Sequence, residues 1–302
     1  LVKSLGIPIS NRHRASGDAL ATVELFKLLL VKDIKKEIFN KLIIKDSKPK
    51  KSKWVDLVKN LKNEIGIYYF HDSKGEIIYI GKSKSIKNRV NQYLTGNSIK
   101  SLKVQLELFY ISHKNTGSEL IALLKENKEI KIHQPKFNSL LKSNLKTFGL
   151  EVCIDINSLK YLKVSHYDDS KSFIETYTSL KLANKKLSIL NIKYDLENNK
   201  SEEGNRKLDK IILEHSFPFT NMMIIDKGRN IDEKSVLLIK NNKYIGYGYF
   251  NLNYQINNVE ILESLITKSE KIEKPEFLII NYLKKNKIEK IINIDKSIWK
   301  KL

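Results

Sequence analysis

Ile65-Gly66-Ile67-Tyr68-Tyr69-Phe70 and Ile77-Ile78-Tyr79-Ile80-Gly81 are two runs separated by Asp72-Ser73-Lys74-Gly75. Both runs are dense in β-branched and aromatic residues, and the segment between them has turn chemistry, so the pair is predicted to be a β-hairpin. If Asp72 faces Gly75 across a two-residue loop, Tyr68 lies directly opposite Tyr79. Two phenols then project from one face of the hairpin, within reach of a common phosphate or water. Plain cross-strand aromatic packing would produce the same pattern.

The residues after the hairpin add cationic and acidic groups at helical spacing. Gly81-Lys82-Ser83-Lys84-Ser85-Ile86-Lys87-Asn88-Arg89-Val90 reads as a basic helix with Ser85 as N-cap, and Ile86, Val90 and Tyr93 form its buried stripe. Arg89 sits at the edge of that stripe, where its guanidinium fork can face the tyrosines. A third strand is predicted over 102–111. Thr116-Gly117-Ser118-Glu119 reads as a capping box opening a helix over about 118–132. On that helix Glu126 follows Ala122 by one turn and precedes Ile130 by one turn. A carboxylate on an apolar stripe is costly unless paired, a placement suited to a metal ligand. Pro135-Lys136-Phe137-Asn138 leads out of the helix, with Asn138 placed to pin the turn.

Taken together and in order, Gly66-Ile67-Tyr68, Tyr79-Ile80-Gly81, Arg89, Glu126 and Asn138 resemble the GIY-YIG nuclease family, in the form of the UvrC and Cho N-terminal domains. The likeness runs on through Glu119-Leu-Ile-Ala-Leu-Leu-Lys-Glu126 to Pro135-Lys-Phe-Asn-Ser-Leu-Leu141, with Phe137 where tyrosine is usual. The resemblance implies an α/β (α+β) fold, in which a small antiparallel three-stranded sheet flanked by helices is joined by a separate C-terminal α/β domain. It implies one divalent cation, Mg2+ or Mn2+, held by Glu126. Tyr68 would orient or deprotonate the attacking water, Tyr79 and Arg89 would stabilise charge on the phosphate, and Asn138 would hold the site together. Lys82, with Lys84 and Lys87, would contact DNA. The implied function is a metal-dependent DNA endonuclease of nucleotide-excision-like repair or of replication, working with other repair or replication proteins.

Composition agrees with a polyanion partner. The 302 residues carry 55 Lys and Arg against 34 Asp and Glu, a net charge of +21. The surplus is clustered: 32–62 holds eleven Lys and four acids, and 82–103 holds six basic residues and no acid. Such strips suit phosphate tracking. A Lys-rich chain with only five Arg also fits an AT-rich genome, so the clustering carries the argument. No apolar run reaches the roughly eighteen residues of a membrane span, so no membrane partner is expected. The single Cys153 excludes disulfide frameworks and thiolate metal clusters within this chain and points to the cytoplasm.

The remaining segments are predicted as follows. Residues 1–31 end in an amphipathic helix, 32–63 form a basic linker with a short helix near Val55–Leu61, and 64–143 form the nuclease block. Residues 144–302 form an α/β region, with strands at 148–155, 160–166, 235–240 and 243–250 and helices at 171–186 and 274–286. His13, five residues before Asp18 in Asn11-Arg-His13-Arg-Ala-Ser-Gly-Asp18-Ala, resembles the last motif of the DEDDh exonucleases. That likeness implies a general base and one metal ligand of a 3′–5′ exonuclease site whose other carboxylates this chain lacks. Exonuclease activity is therefore expected of a longer polymerase III epsilon-like fusion and not of this chain. Asp226-Lys-Gly-Arg229 and Gly246-Tyr-Gly-Tyr-Phe250 look like the C-terminal region of such fusions. The competing reading is a silent DNA-binding module. A second YIG string, Tyr244-Ile245-Gly246, has no GIY before it at hairpin distance and reads as a plain strand after an Asn241-Asn242 turn.

Overall fold

The computed structural model describes residues 20, 22–25, 27, 51–138, 148–168, 171–196, 201–251, 259–268, 272 and 274–295. His13, Asp18, most of 1–50 and the expected boundary at 143 lie outside these residues. The chain divides into two compact units. One contains helix α1 (Lys51–Lys59), the last part of α2 (Ile86–Thr95) and α3 (Ile99–Glu107). Within it Gln105 Nε2 donates to the carbonyls of Tyr93 at 2.7 Å and Gly96 at 2.9 Å, fixing α3 against the end of α2.

The other unit starts with the expected hairpin, β1 (Gly66–His71) and β2 (Ile77–Ser83), and β3 (Tyr110–Asn115). The three strands form an antiparallel sheet of order β2-β1-β3. Every residue of β1 is buried, as befits a central strand covered on both faces, and its sequence is accordingly a continuous apolar run. The third strand is later and shorter than predicted. Ser98 caps a helix at 99–107 through its Oγ, which accepts the Ser101 amide at 3.1 Å, and only 110–115 extends.

The hairpin register also differs from the expectation. Tyr68 pairs with Gly81 and Phe70 with Tyr79, a slip of two positions. Two insertions cause it. Gly75 adopts φ +86° directly after the Asp72 turn, and a bulge interrupts the ladder between Phe70 and His71. Because side chains alternate with period two, a slip of two keeps both phenols on one face. Tyr79 moves from opposite Tyr68 to its diagonal, with ring centroids 6.0 Å apart.

Helix α4 (Glu119–His133) follows β3. Its N-cap is Ser118, not Thr116: the Ser118 Oγ accepts the Leu120 amide at 3.2 Å. Two cores meet on this helix. Ala122 and Ile130 pack with Ile67, Tyr69 and Ile80 of the three-stranded sheet. Leu120, Ile121 and Leu124 pack instead with Met222, Ile224, Leu237, Ile239 and Ile279 from the C-terminal part of the chain. The apolar run 120–124 is thus explained by burial on two sides.

That C-terminal part contains a second three-stranded sheet, β5-β4-β6, made of β4 (Phe148–Ile154), β5 (Lys160–His166) and β6 (Phe173–Tyr177). It packs on α5 (Leu180–Tyr194) and α6 (Glu202–Glu214) through Leu150, Ile174, Leu190, Leu208 and Ile211. The helix predicted over 171–186 is therefore strand first, because Phe173-Ile-Glu-Thr-Tyr177 pairs with β4, and helix only from Leu180. A five-stranded antiparallel sheet completes the fold. It has order β10-β9-β8-β7-β11, formed by β7 (Met222–Lys227), β8 (Glu233–Lys240), β9 (Lys243–Asn251), β10 (Thr267–Lys268) and β11 (Lys290–Asn293). Helix α7 (Val259–Ser264) lies in the β9–β10 connection, and α8 (Pro275–Lys285) contributes Ile279 to the α4 core. No helix among the described residues is long and apolar enough to cross a membrane.

Candidate active site

The site is built around the outer edge of β2. Since β2 is an edge strand, the amides and carbonyls of Ile80 and Lys82 on that side need partners from elsewhere. Asn138 supplies both for Ile80. Its Oδ1 accepts the Ile80 amide at 2.9 Å and its Nδ2 donates to the Ile80 carbonyl at 2.8 Å. The side chain amide so imitates a neighbouring strand, and it is buried. Beside it the Phe137 amide donates to the Ile78 carbonyl at 2.9 Å. Phenylalanine at 137 costs this arrangement nothing, because the contact is made by its backbone.

Lys82 is satisfied by a carboxylate. Its amide donates to Glu126 Oε1 at 2.9 Å, tying the end of β2 to the middle of α4. Glu126 lies between Ala122 and Ile130, both buried against the three-stranded sheet, and is itself half-buried. The helix periodicity and the observed placement agree.

Tyr68 reaches the same peptide from the other face of the sheet. The residue is fully buried, and a methyl group added to Gly81 would lie 2.5 Å from its phenol oxygen. Gly81 is therefore needed because the Tyr68 phenol occupies the space a side chain would fill. Tyr68 and Tyr79 sit with Phe70 in one aromatic cluster, with Phe70 ring centroids at 5.2 Å and 5.6 Å respectively. The Tyr68 phenol and the Glu126 carboxylate thus converge on the Gly81–Lys82 peptide.

Cationic groups follow directly. The Lys82 side chain is exposed, Lys87 is half-buried and Arg89 is exposed on α2, with Ile86 and Val90 fully buried beneath. Lys84 makes a 2.8 Å ion pair with Glu119 while its side chain stays 73% exposed, so part of its charge is already spent inside the protein. Ser83 Oγ accepts the Ser85 amide at 3.0 Å just before the helix. Among the described residues no group of three or more His, Cys, Asp or Glu could hold an ion. Glu126 is the carboxylate that the geometry offers.

A family model described as the UvrC-like GIY-YIG domain matches residues 64–139. These residues form a UvrC-like GIY-YIG domain. Its relatives include the UvrABC system protein C of Christiangramia forsetii, 32% identical over 162 residues, which are 50% of this chain and 27% of that protein. The protein of the same name from Lachnospira eligens is 46% identical over 90 residues, 29% of this chain and 15% of its own length. The magnesium-bound GIY-YIG N-terminal endonuclease domain of UvrC from Thermotoga maritima is 30% identical, with a TM-score of 0.27, and the match covers 28% of this chain and 96% of that one. The chain spans about a quarter or less of the curated relatives it matches. The GIY-YIG domain thus accounts for the hairpin, α2, β3 and α4. Asp226 and Tyr249, which touch the start of α4 from the five-stranded sheet, are marked in the sequence only as parts of a tail motif. No spacing in the sequence links them to Ser118 or Thr116.

Proposed function

We propose that this chain is a metal-dependent DNA endonuclease that hydrolyses phosphodiester bonds in excision-type repair. The observation that carries the reading is the convergence of the Tyr68 phenol and the Glu126 carboxylate on the Gly81–Lys82 peptide at the edge of β2. A single carboxylate is the right donor for a hard cation that keeps several waters and takes further oxygens from its substrate, as Mg2+ does and as Mn2+ can. Glu126 would hold that ion, which when bound supplies Lewis acidity and lowers the pKa of water.

The other roles belong to this chain's side chains. Tyr68 orients the attacking water and accepts its proton; a free tyrosine has a pKa near 10, so this role needs a neighbouring positive charge. The Tyr79 hydroxyl and the Arg89 guanidinium donate to the phosphate oxygens as negative charge builds on them. Lys82, Lys84 and Lys87 neutralise backbone phosphates flanking the cut. Asn138 keeps β2 from fraying, and so keeps Tyr79 and Lys82 in register.

Several finer readings accompany this one. The relatives' name places them in a UvrABC system, and we take the partners of this chain to be DNA and repair proteins of that kind in the cytoplasm. The division into 1–31, 32–63, 64–143 and 144–302 stands as the proposed organisation. His13 and Asp18 are read as part of a DEDDh motif of the polymerase III epsilon-like exonuclease kind. The test uses end-labelled nicked, bubble, flap and lesion-bearing duplexes with Mg2+ or Mn2+. Incision of at least one, lost on chelation, is expected; intact substrates throughout would leave the silent DNA-binding module as the answer.

A further inference from the structure

Residues 115–118, which lead from β3 into α4, are fastened to the five-stranded sheet at four points. Ser118 Oγ, the cap of α4, donates to Asp226 Oδ2 on β7 at 2.7 Å while accepting the Leu120 amide. The Tyr249 hydroxyl on β9 donates to the Thr116 carbonyl at 3.0 Å. Asn115 Nδ2 donates to the Arg229 carbonyl at 3.0 Å. Gly117, at φ +66°, lies so close to the β7–β8 turn that a methyl group there would fall 2.0 Å from the Gly228 carbonyl oxygen. Thr116 and Ser118 are both 1% exposed, so water cannot take over these bonds.

The fastening parts are themselves held. The Arg229 guanidinium stacks 4.1 Å from the Tyr249 ring centre and pairs with Glu233 through Nε and Nη2. Burial pushes the Tyr249 phenol well above its ordinary range, which keeps the proton it donates. Asp226 brings negative charge to the positive end of α4, where it also completes the cap.

We infer that Asp226 and Tyr249 are positioning residues for Glu126, and that the five-stranded sheet is a working part of the nuclease rather than an appendage. This rests on the endonuclease reading above. Glu126 rides on α4 two residues after Leu124, whose side chain is packed against that sheet. A helix behaves as a rod, so a shift or fraying at its capped end carries to the carboxylate about 12 Å along it. Metal and phosphate geometry tolerates a displacement of only about 0.5 Å. Sheet and helix share one core, and the cap fixes where along that core the helix stops.

The experiment uses the full chain and the variants Asp226→Ala, Asp226→Asn and Tyr249→Phe. Mn2+ affinity is read directly by electron paramagnetic resonance, alongside metal-free DNA affinity, thermal melting and single-turnover cleavage well below the melting temperature. Asp226→Ala should weaken Mn2+ binding about 10-fold, as lost outer-shell support does, with DNA affinity unchanged. Asp226→Asn should restore most of it, because the amide oxygen still accepts the Ser118 hydroxyl. Tyr249→Phe should give a smaller loss of the same kind. Wild-type Mn2+ affinity in Asp226→Ala, or a loss that merely follows the unfolded fraction, overturns the inference. In that case a wild type that still cuts leaves the endonuclease reading standing. A wild type that neither binds Mn2+ nor cuts overturns both.

Discussion

The chain contains the string Tyr-Ile-Gly twice, at 79–81 and at 244–246, and each copy lies on the second strand of an antiparallel hairpin. Both glycines are obligatory for the same physical reason, close approach of another group. At Gly81 the intruder is the Tyr68 phenol, 2.5 Å from where a methyl would lie; at Gly246 it is the Thr267 backbone carbonyl, at 2.2 Å. The strands differ in what lies beside them. β9 is flanked by β8 and, at Gly246 and Tyr247, by β10, while its Tyr244 amide donates to Glu276 Oε1 on α8 at 2.9 Å. β2 is an edge, and its outward groups are met by Asn138 and Glu126. Neither the tripeptide nor a carboxylate beside it sets the site apart; a phenol across from the glycine of an edge strand does, where Gly246 instead faces Leu238.

The largest effect should come from Glu126, which accepts the amide of the residue after its glycine, whereas the carboxylate beside β9, Glu276, accepts the amide of the tyrosine itself. Glu126→Gln keeps the size and removes the charge that would hold a cation. Cleavage should vanish at ordinary Mg2+, while DNA affinity stays equal or rises because a negative charge near the phosphate is gone. Arg89→Ala should come next. A donor to charge that exists only in the transition state accounts for about 10²–10³-fold in rate. Binding should change little, since many lysines share the ground-state phosphate contacts. Single-turnover cleavage and equilibrium binding on one labelled duplex check both variants. If affinity falls in step with rate, the residues serve binding and the catalytic roles fail.

A smaller effect belongs to the cationic strip after β2. Neutralising Lys82 and Lys87 together should reduce the slope of log K against log salt by roughly 0.9 per lost phosphate contact. Lys84 should contribute less than either, since Glu119 already holds it in an ion pair. Salt titrations of the single and double variants measure this, and equal slopes for Lys84→Ala and Lys82→Ala would contradict it.

The parts of this arrangement that are legible in the sequence are those set by local periodicity. Ala122, Glu126 and Ile130 share one stripe by helical spacing alone, and that stripe faces the three-stranded sheet. Tyr68 and Tyr79 fall on one face by the alternation of a hairpin, and they remain there although the register is two positions away from the simplest turn. The slip itself is not legible, because it depends on a bulge at Phe70/His71 that no residue type announces. The double use of α4 is half legible: Leu120-Ile-Ala-Leu-Leu124 is too apolar for one face, but nothing in it names the second partner. Long-range hydrogen bonds such as Ser118 to Asp226, 108 residues apart, leave no trace in spacing at all.

The comparison is sharpened most by making the same substitution in both copies. In Gly81→Ala the added methyl meets the Tyr68 hydroxyl and ring carbons at 2.5–3.0 Å, and Tyr68 is 1% exposed, so the ring has little room to yield. Overpacking of this sort costs about 1–3 kcal/mol. The phenol must leave its place beside the Gly81–Lys82 peptide, so cleavage should fall far more than the loss of folded protein explains. In Gly246→Ala the methyl meets the backbone of β10, an edge strand of two residues. Releasing so short a strand gives up one or two hydrogen bonds, at about 1 kcal/mol each. β10 touches neither β2 nor α4 in the ladder, so cleavage per folded molecule should match the wild type. Melting temperatures and single-turnover rates of the two variants, measured side by side, decide it. Comparable melting shifts with a rate defect confined to Gly81→Ala are expected; equal rate defects would mean that the glycines serve stability alone and that the Tyr68 phenol is not at the reacting centre.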